Sequence, residues 1–183
     1  WGVAAAHQGS GMAVGDYDDD GWLDIYLLSW GTPTQLGPGK HRLYHNLGGT
    51  GFAQVATAAG VAFTSPVTGD GYGTCFGDYD MDGDLDLVAT GWILISAGNR
   101  IFRNNGNGGF TNVTAAATGT AFTGVRGFTP QLFDMDGDLD RELLFASDFH
   151  TSRYLVNNGD GTFTNATVSS GTGIDSNGMG AAV

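Results

Sequence analysis

One dense acidic loop occurs three times along the chain, each time followed by an apolar run. The loops read DYDDDGWLD over residues 16–24, DYDMDGDLD over 78–86 and DMDGDLDRE over 134–142. The chain holds 18 Asp and one Glu, and 14 of those Asp lie in these loops. Acidity selected for solubility would mix Glu with Asp and spread both. Short carboxylates packed at alternate positions around a Gly instead suit a hard cation that takes several oxygens from one tight turn. Calcium is the ion this pattern predicts.

In the first two loops the spacing is D-x-D-x-D-G-x-x-D. Asp16, Asp18 and Asp20 can turn their carboxylates inward as the backbone curls, and Asp24 closes the site from the next strand. Gly21 sits at the sharp bend, where a residue without Cβ is unstrained, and the carbonyl of Trp22 is placed to contribute. The second loop repeats the set with Asp78, Asp80, Asp82 and Asp86, Gly83 at the bend and Asp84 supplying the carbonyl. The spacing resembles the first half of an EF-hand loop, but the last ligand comes at the ninth position and the flanks are not helical. The competing reading is an Asx-rich turn without metal. It leaves four carboxylates within a few ångströms of one another, repelling and raising each other's pKa. Magnesium fits less well, since it keeps its waters and takes fewer protein ligands.

The third loop allows two registers. Aligning its DMDGDLD with the second loop keeps Gly137 in place but puts Leu132 where the first Asp should be. Starting at Asp134 keeps four carboxylates, Asp134, Asp136, Asp138 and Glu142, displaces the Gly and puts Leu139 at the bend. The flanks favour the second register, because GYGTCFGD and GFTPQLFD then align before the loops, as do DLVAT and ELLFA after them. Asp140 stays an alternative ligand. The expected count is two to three calcium ions.

The loops belong to a longer repeat. Before each runs a Gly-rich apolar stretch: GSGMAVGD, GYGTCFGD or GFTPQLFD. After each comes a strand, then a segment with a basic residue (HRLYHNLGGTGF, NRIFRNNGNGGF, SRYLVNNGDGTF), then a last short strand, FAQVAT, FTNVT or FTNAT. The turns NLGGTG, NNGNGG and NNGDGT are hairpin signals, since Asn and Gly supply positive φ. Each unit of roughly 50–60 residues thus holds four short strands, the content of one propeller blade. No segment shows a helical apolar period. The units run over 9–66, 67–124 and 125–172, with 1–8 as the tail of a preceding unit and 173–183 as the start of a fourth. Three blades cannot close a propeller, so the sequence reads as an excerpt of a longer array, ahead of several chains completing one another.

GDYDDDGWLDIYLLSW, HRLYHNLGGTGF, LLFASDF and NNGDGTFTNAT together resemble FG-GAP/VCBS repeats, in the style of the cartilage acidic protein-like (ASPIC/UnbV) group. The likeness covers nearly the whole chain. Phe76-Gly77 supplies the FG, but no GAP triplet follows in any unit. The resemblance implies an all-β propeller, usually seven-bladed, in secreted or surface proteins. It also implies calcium held by Asp16, Asp18, Asp20 and Asp24 and by Asp78, Asp80, Asp82 and Asp86.

The composition fits this. Of 183 residues 32 are Gly, charge is sparse, and aromatic residues are plentiful, which suits short strands joined by tight turns. A net charge of −12 argues against nucleic acid, whose phosphates would be repelled, and three calcium ions would halve it. No apolar run is long enough to span a membrane. Cys75, the only cysteine, has no disulfide partner within the chain and reads as a small buried hydrophobe. Calcium loops of this kind fill outside the cell, which places the protein in an extracellular or cell-surface setting.

Little else carries chemistry. Of His7, His41, His45 and His150, only His41 and His45 stand four apart (HRLYH), and no HExxH is present; in a strand these two share a face with no third ligand expected near them. No GxSxG, Cys/His pairing or phosphate-cradling loop is present, so the chain reads as non-catalytic. Asn112 and Asn165 open N-x-T sequons at equivalent places, read either as glycan acceptors or as Asx side chains that end a strand. Arg42, Arg100 and Arg153 recur at one repeat position and suit blade-to-blade hydrogen bonds. Trp1, Trp22, Trp30 and Trp92 read as packing residues before carbohydrate contacts.

The expected function is therefore a calcium-stabilised extracellular scaffold or adhesion module with a protein or carbohydrate partner. The alternatives are a filament subunit that self-associates through its end blades and a part of a polysaccharide-active enzyme.

Overall fold

The computed structural model describes residues 8–31, 41–62, 69–92, 98–173, 178 and 180. Each repeat unit is an antiparallel meander. The first contains β1 (Gln8–Gly15), β2 (Asp24–Gly31), β3 (Arg42–Asn46) and β4 (Phe52–Gln54). The second contains β5 (Gly69–Gly77), β6 (Asp86–Gly91), β7 (Arg100–Asn104) and β8 (Phe110–Asn112); the third β9 (Gly127–Phe133), β10 (Glu142–Ser147), β11 (Arg153–Asn157) and β12 (Phe163–Asn165). Within each unit every strand pairs with the next in sequence. The first strands pack in series, β1 on β5 and β5 on β9. The result is all-β, three four-stranded blades in a propeller-like row.

The period-two alternation of a strand divides the core between blade boundaries. In β6, Leu87 and Ala89 join Tyr26, Leu28, Leu43 and Phe102 between the first and second blades, while Val88 joins Leu143, Phe145 and Leu155 between the second and third. A central blade is thus buried on both faces. Each fully buried Leu, Val or Phe contributes about 1.5–3 kcal/mol, and most of that stabilisation lies between blades.

Glycines let the first strands approach. A Cβ at Gly11 would run into the carbonyl of Tyr72, and one at Gly73 into that of Phe128. Both sit where the ladder to the second strand slips register, between Gly9 and Met12 and between Gly71 and Thr74. Cys75, half-buried, packs beside the second core, and burial pushes its thiol up to about 12.

Two elements differ from the sequence expectation. The last strands end after three residues, and FTNVT and FTNAT turn instead into α1 (Thr114–Thr118) and α2 (Thr167–Ser170). The cause is local. Asn112 Oδ1 accepts both the Thr114 amide (3.1 Å) and hydroxyl (2.7 Å), and Asn165 does the same with Thr167 (3.1 and 2.6 Å). The side chain replaces the next ladder partner and starts a turn.

At the ends, Gly178 N–H donates to Ser147 O at 3.0 Å. Residues 1–7 and most of 174–183, read as partial units, lie outside the described residues. Among the described residues no helix is long and apolar enough to cross a membrane.

Candidate metal centres

Each acidic loop connects the first strand of a blade to the second, so all three project from the same end of their blades. The loops share two left-handed positions. The fourth residue is Asp19, Met81 or Gly137, with φ of 56°, 59° and 84°; the sixth is Gly21, Gly83 or Leu139, with φ of 89°, 96° and 79°. The first carboxylate holds this curl. Asp16 accepts the amides of Asp20 (3.0 Å) and Gly21 (2.8 Å), and Asp78 that of Gly83 (3.2 Å). Asp134 accepts those of Gly137 (2.7 Å) and Leu139 (3.2 Å). The sixth amide returns to the first carboxylate in all three, which fixes the third loop in the register that begins at Asp134.

The ninth residue is buried and organised by main chain. Asp24 accepts the amides of Tyr17 (3.2 Å) and Asn46 (2.8 Å), and Asp86 those of Tyr79 (3.0 Å) and Asn104 (2.8 Å). Glu142 is equally buried and accepts Met135 N–H at 2.7 Å. Its longer side chain leaves Oε1 with no hydrogen-bond partner.

These placements bring one set of carboxylates together in every loop. Ligand atoms of Asp16, Asp18 and Asp24 lie within 4.8 Å of one another, as do those of Asp78, Asp80 and Asp86 and those of Asp134, Asp136 and Glu142. The fifth residue is tied differently: Asp20, Asp82 and Asp138 accept the amides of Trp22 (2.9 Å), Asp84 (3.0 Å) and Asp140 (3.0 Å). Asp20 also lies within the same range of Asp18 and His45. The seventh side chain turns away. Trp22, Asp84 and Asp140 lie over the hairpin glycines Gly49, Gly106 and Gly159, so the Asp140 carboxylate stands apart from the convergent set.

Burial raises the pKa of Asp18, Asp24 and Asp80. It pushes Asp86 up to about 7 against the amides of Tyr79 and Asn104, with Asp80 and Asp82 adding repulsion. Anionic loops therefore call for a positive charge. The residue before the Asn that ends each third strand differs from blade to blade: His45, Arg103 and Val156. His45 Nδ1 is 3.2 Å from Asp18 Oδ2 and 3.5 Å from Asp24 Oδ1. This corrects the expectation of no ligand-type neighbour near His45. His41 is instead a core residue, against Tyr26 at 6.0 Å, its pKa lowered to about 4 by burial.

Residues 16–89, from the first loop into β6, match the sequence model of FG-GAP-like repeats. This stretch is similar to FG-GAP-like repeats. Among curated proteins none matches the chain. Among solved structures, a lectin of Agrocybe aegerita, described for specific recognition of non-reducing terminal N-acetylglucosamine, is similar at 20% identity with a TM-score of 0.47. The likeness covers 82% of this chain and 36% of that one.

The geometry also shows what the FG-GAP-like pattern left unread. Asn46, Asn104 and Asn157 end the third strands, and their side-chain amides donate to the loops: Asn46 to Leu23 O (3.0 Å), Asn104 to Leu85 O (3.1 Å), Asn157 to Arg141 O (3.1 Å). Asn104 and Asn157 donate a second time, across the blade boundary, to Tyr17 O and Tyr79 O, both at 2.7 Å. The second loop residue also packs across that boundary, Tyr17 on Phe110 at 5.6 Å and Tyr79 on Phe163 at 5.5 Å. The signal lay in the aligned repeats, where Asn recurs after each basic segment and Phe after each hairpin.

The remaining expectations resolve locally. Asn112 and Asn165 are exposed and act as the strand-ending Asx side chains described above. Arg153 Nε reaches Ala121 O of the preceding unit at 3.1 Å. Trp22 covers its own hairpin; Trp92 donates to Asp148 Oδ2 at 2.9 Å and lies 4.6 Å beneath the Arg126 guanidinium. Trp1 and His7 lie outside the described residues.

Proposed function

We propose that the chain is a non-catalytic, calcium-binding repeat module of an extracellular β-propeller, in which calcium pins each blade loop of an adhesion or interaction scaffold. One observation carries the reading. Every loop contains carboxylate oxygens shielded from solvent with no hydrogen-bond donor: Asp18 Oδ1, Asp78 Oδ1, Asp80 Oδ1 and Glu142 Oε1. A buried anionic oxygen without a partner is costly, and a cation among the convergent carboxylates would satisfy it. Asp16, Asp18, Asp20 and Asp24 would hold one ion, Asp78, Asp80, Asp82 and Asp86 a second, and Asp134, Asp136, Asp138 and Glu142 a third. The oxygen-rich donor sets suit calcium, and exposed loops of moderate affinity suit extracellular calcium. The ion would neutralise the cluster and fix the turn between the first two strands. The partner of such a scaffold is a protein or a carbohydrate. The test is thermal melting with and without a calcium chelator: a marked drop in Tm supports the reading, and superimposable curves refute it.

A second reading, self-association through blade faces, is favoured by Met12 and Val14, 59% and 48% exposed on β1. In β5 the residue equivalent to Val14, Phe76, packs on Gly15 of the neighbouring blade. Sedimentation as a monodisperse monomer would argue against it.

A further inference from the structure

We infer that Asn104 and Asn157 couple the cation sites of successive loops, so that an ion bound at one loop tightens binding at the next. The inference rests on the calcium reading of the loops. Its own basis is an unbroken series of hydrogen bonds through the blade boundaries.

Asp24, which closes the first loop, accepts Tyr17 N–H at 3.2 Å. The carbonyl of the same residue, Tyr17, accepts Asn104 Nδ2 at 2.7 Å. Asn104 N–H in turn donates to Asp86, which closes the second loop, at 2.8 Å. The second proton of Asn104 Nδ2 goes to Leu85 O, and its Oδ1 accepts Gly106 N–H at 3.1 Å. Asn104 is 1% exposed, and its main-chain N–H and whole side-chain amide are engaged, so it cannot shift toward one loop without loosening the other. The series continues from Asp86 through Tyr79 N–H to Tyr79 O, which accepts Asn157 Nδ2 at 2.7 Å.

An ion on Asp24 orders the Tyr17 peptide that serves as acceptor for Asn104. Asn104 so held presents its main-chain N–H to Asp86 in the geometry the second ion needs. The ordering cost met by the first ion is then not met again by the second, which is positive coupling, and by linkage it runs both ways. Asn104 and Asn157 are positioning residues in this scheme. Among the described residues the hydrogen bonds of Asn46 all stay within its own blade, so it ends the series.

The loops can be read separately because Trp22 belongs to the first loop alone; Asp84 and Asp140 hold that position in the others. Terbium luminescence excited through tryptophan therefore reports the first loop. With terbium as the probe, Asp80→Asn in the second loop should move the first-loop midpoint about five-fold to higher concentration, within the usual range of coupling between sites. The same substitution should move it less than two-fold, roughly no coupling, when combined with Asn104→Ala or with Asn104→Asp, which keeps the side-chain shape. An unmoved midpoint when Asn104 is intact would overturn the inference, whether or not the Asn104 variants fold. So would an equal shift with and without Asn104. Calcium binding with uncoupled loops would leave the calcium reading standing while overturning this one; no terbium or calcium binding at all would overturn both.

Discussion

Leu139 and Gly83 occupy the same bend, with φ of 79° and 96° in the third and second acidic loops. Left-handed backbone costs a residue with Cβ about 1–2 kcal/mol, and Leu139, 77% exposed, recovers nothing by packing. Leu139→Gly is therefore expected to leave stability unchanged or raise it by about 1 kcal/mol, after the greater chain entropy of Gly is subtracted. Gly83→Leu should lower it by about 1–2 kcal/mol. Denaturant titration of the two variants measures both; destabilisation by Leu139→Gly would contradict the assigned register.

The Tyr79–Phe163 pair tests whether loops and blade boundaries are one structure. The rings are 5.5 Å apart, stacked, and belong to different blades. Phe163→Ala should cost about 3–4 kcal/mol. A double-mutant cycle with Tyr79→Ala should show about 1 kcal/mol of coupling. Strict additivity would mean that the contact carries no energy of its own.

Gly73→Ala probes the close approach of first strands. Its Cβ would meet the Phe128 carbonyl and the Pro130 ring, so the second and third blades must part. A loss of about 2–3 kcal/mol is expected, typical of overpacking, whereas Gly108→Ala, with nothing near its Cβ, should show only the smaller strain of its φ of 79°.

Acid should act oppositely on the cation-free and calcium-loaded forms. Without a cation, burial raises Asp86 from 3.8 to about 7. The folded state then binds the proton more tightly than the unfolded chain. That stabilisation is complete below about pH 4 and is lost as pH rises through about 7, with up to about 4 kcal/mol at stake. Calcium holds the carboxylate ionised, so the loaded form should instead lose stability on acidification. Divalent-free protein is expected to melt higher at about pH 5 than at about pH 8, and calcium-loaded protein lower. Parallel shifts would contradict the role given to Asp86, as would an unchanged profile in Asp86→Asn.

The meanders and loops were legible because Asp-x-Asp spacing, Asn-Gly hairpins and apolar alternation each act over a few residues. The Asp134 register was readable from its flanks, and the amide of Leu139 on Asp134 shows why: the curl is set by the first carboxylate more than by the Gly. Other features depended on what another blade places nearby. Nothing local to Asn104 distinguishes a hairpin Asn from one that reaches Tyr17 O. His45 gains its acidic neighbours only when β3 docks beside the loop. The short helices are not legible in the sequence because four or five residues show no apolar period, and the side-chain bonds of Asn112 and Asn165 decide them.

Calorimetric titration of calcium into divalent-free protein tests the central claim most directly. Saturable binding of three ions is predicted, falling by one in each of Asp18→Ala, Asp80→Ala and Asp136→Ala, with Tm rising as the sites fill. Absence of saturable calcium binding, or a stoichiometry that none of the three substitutions changes, would contradict it.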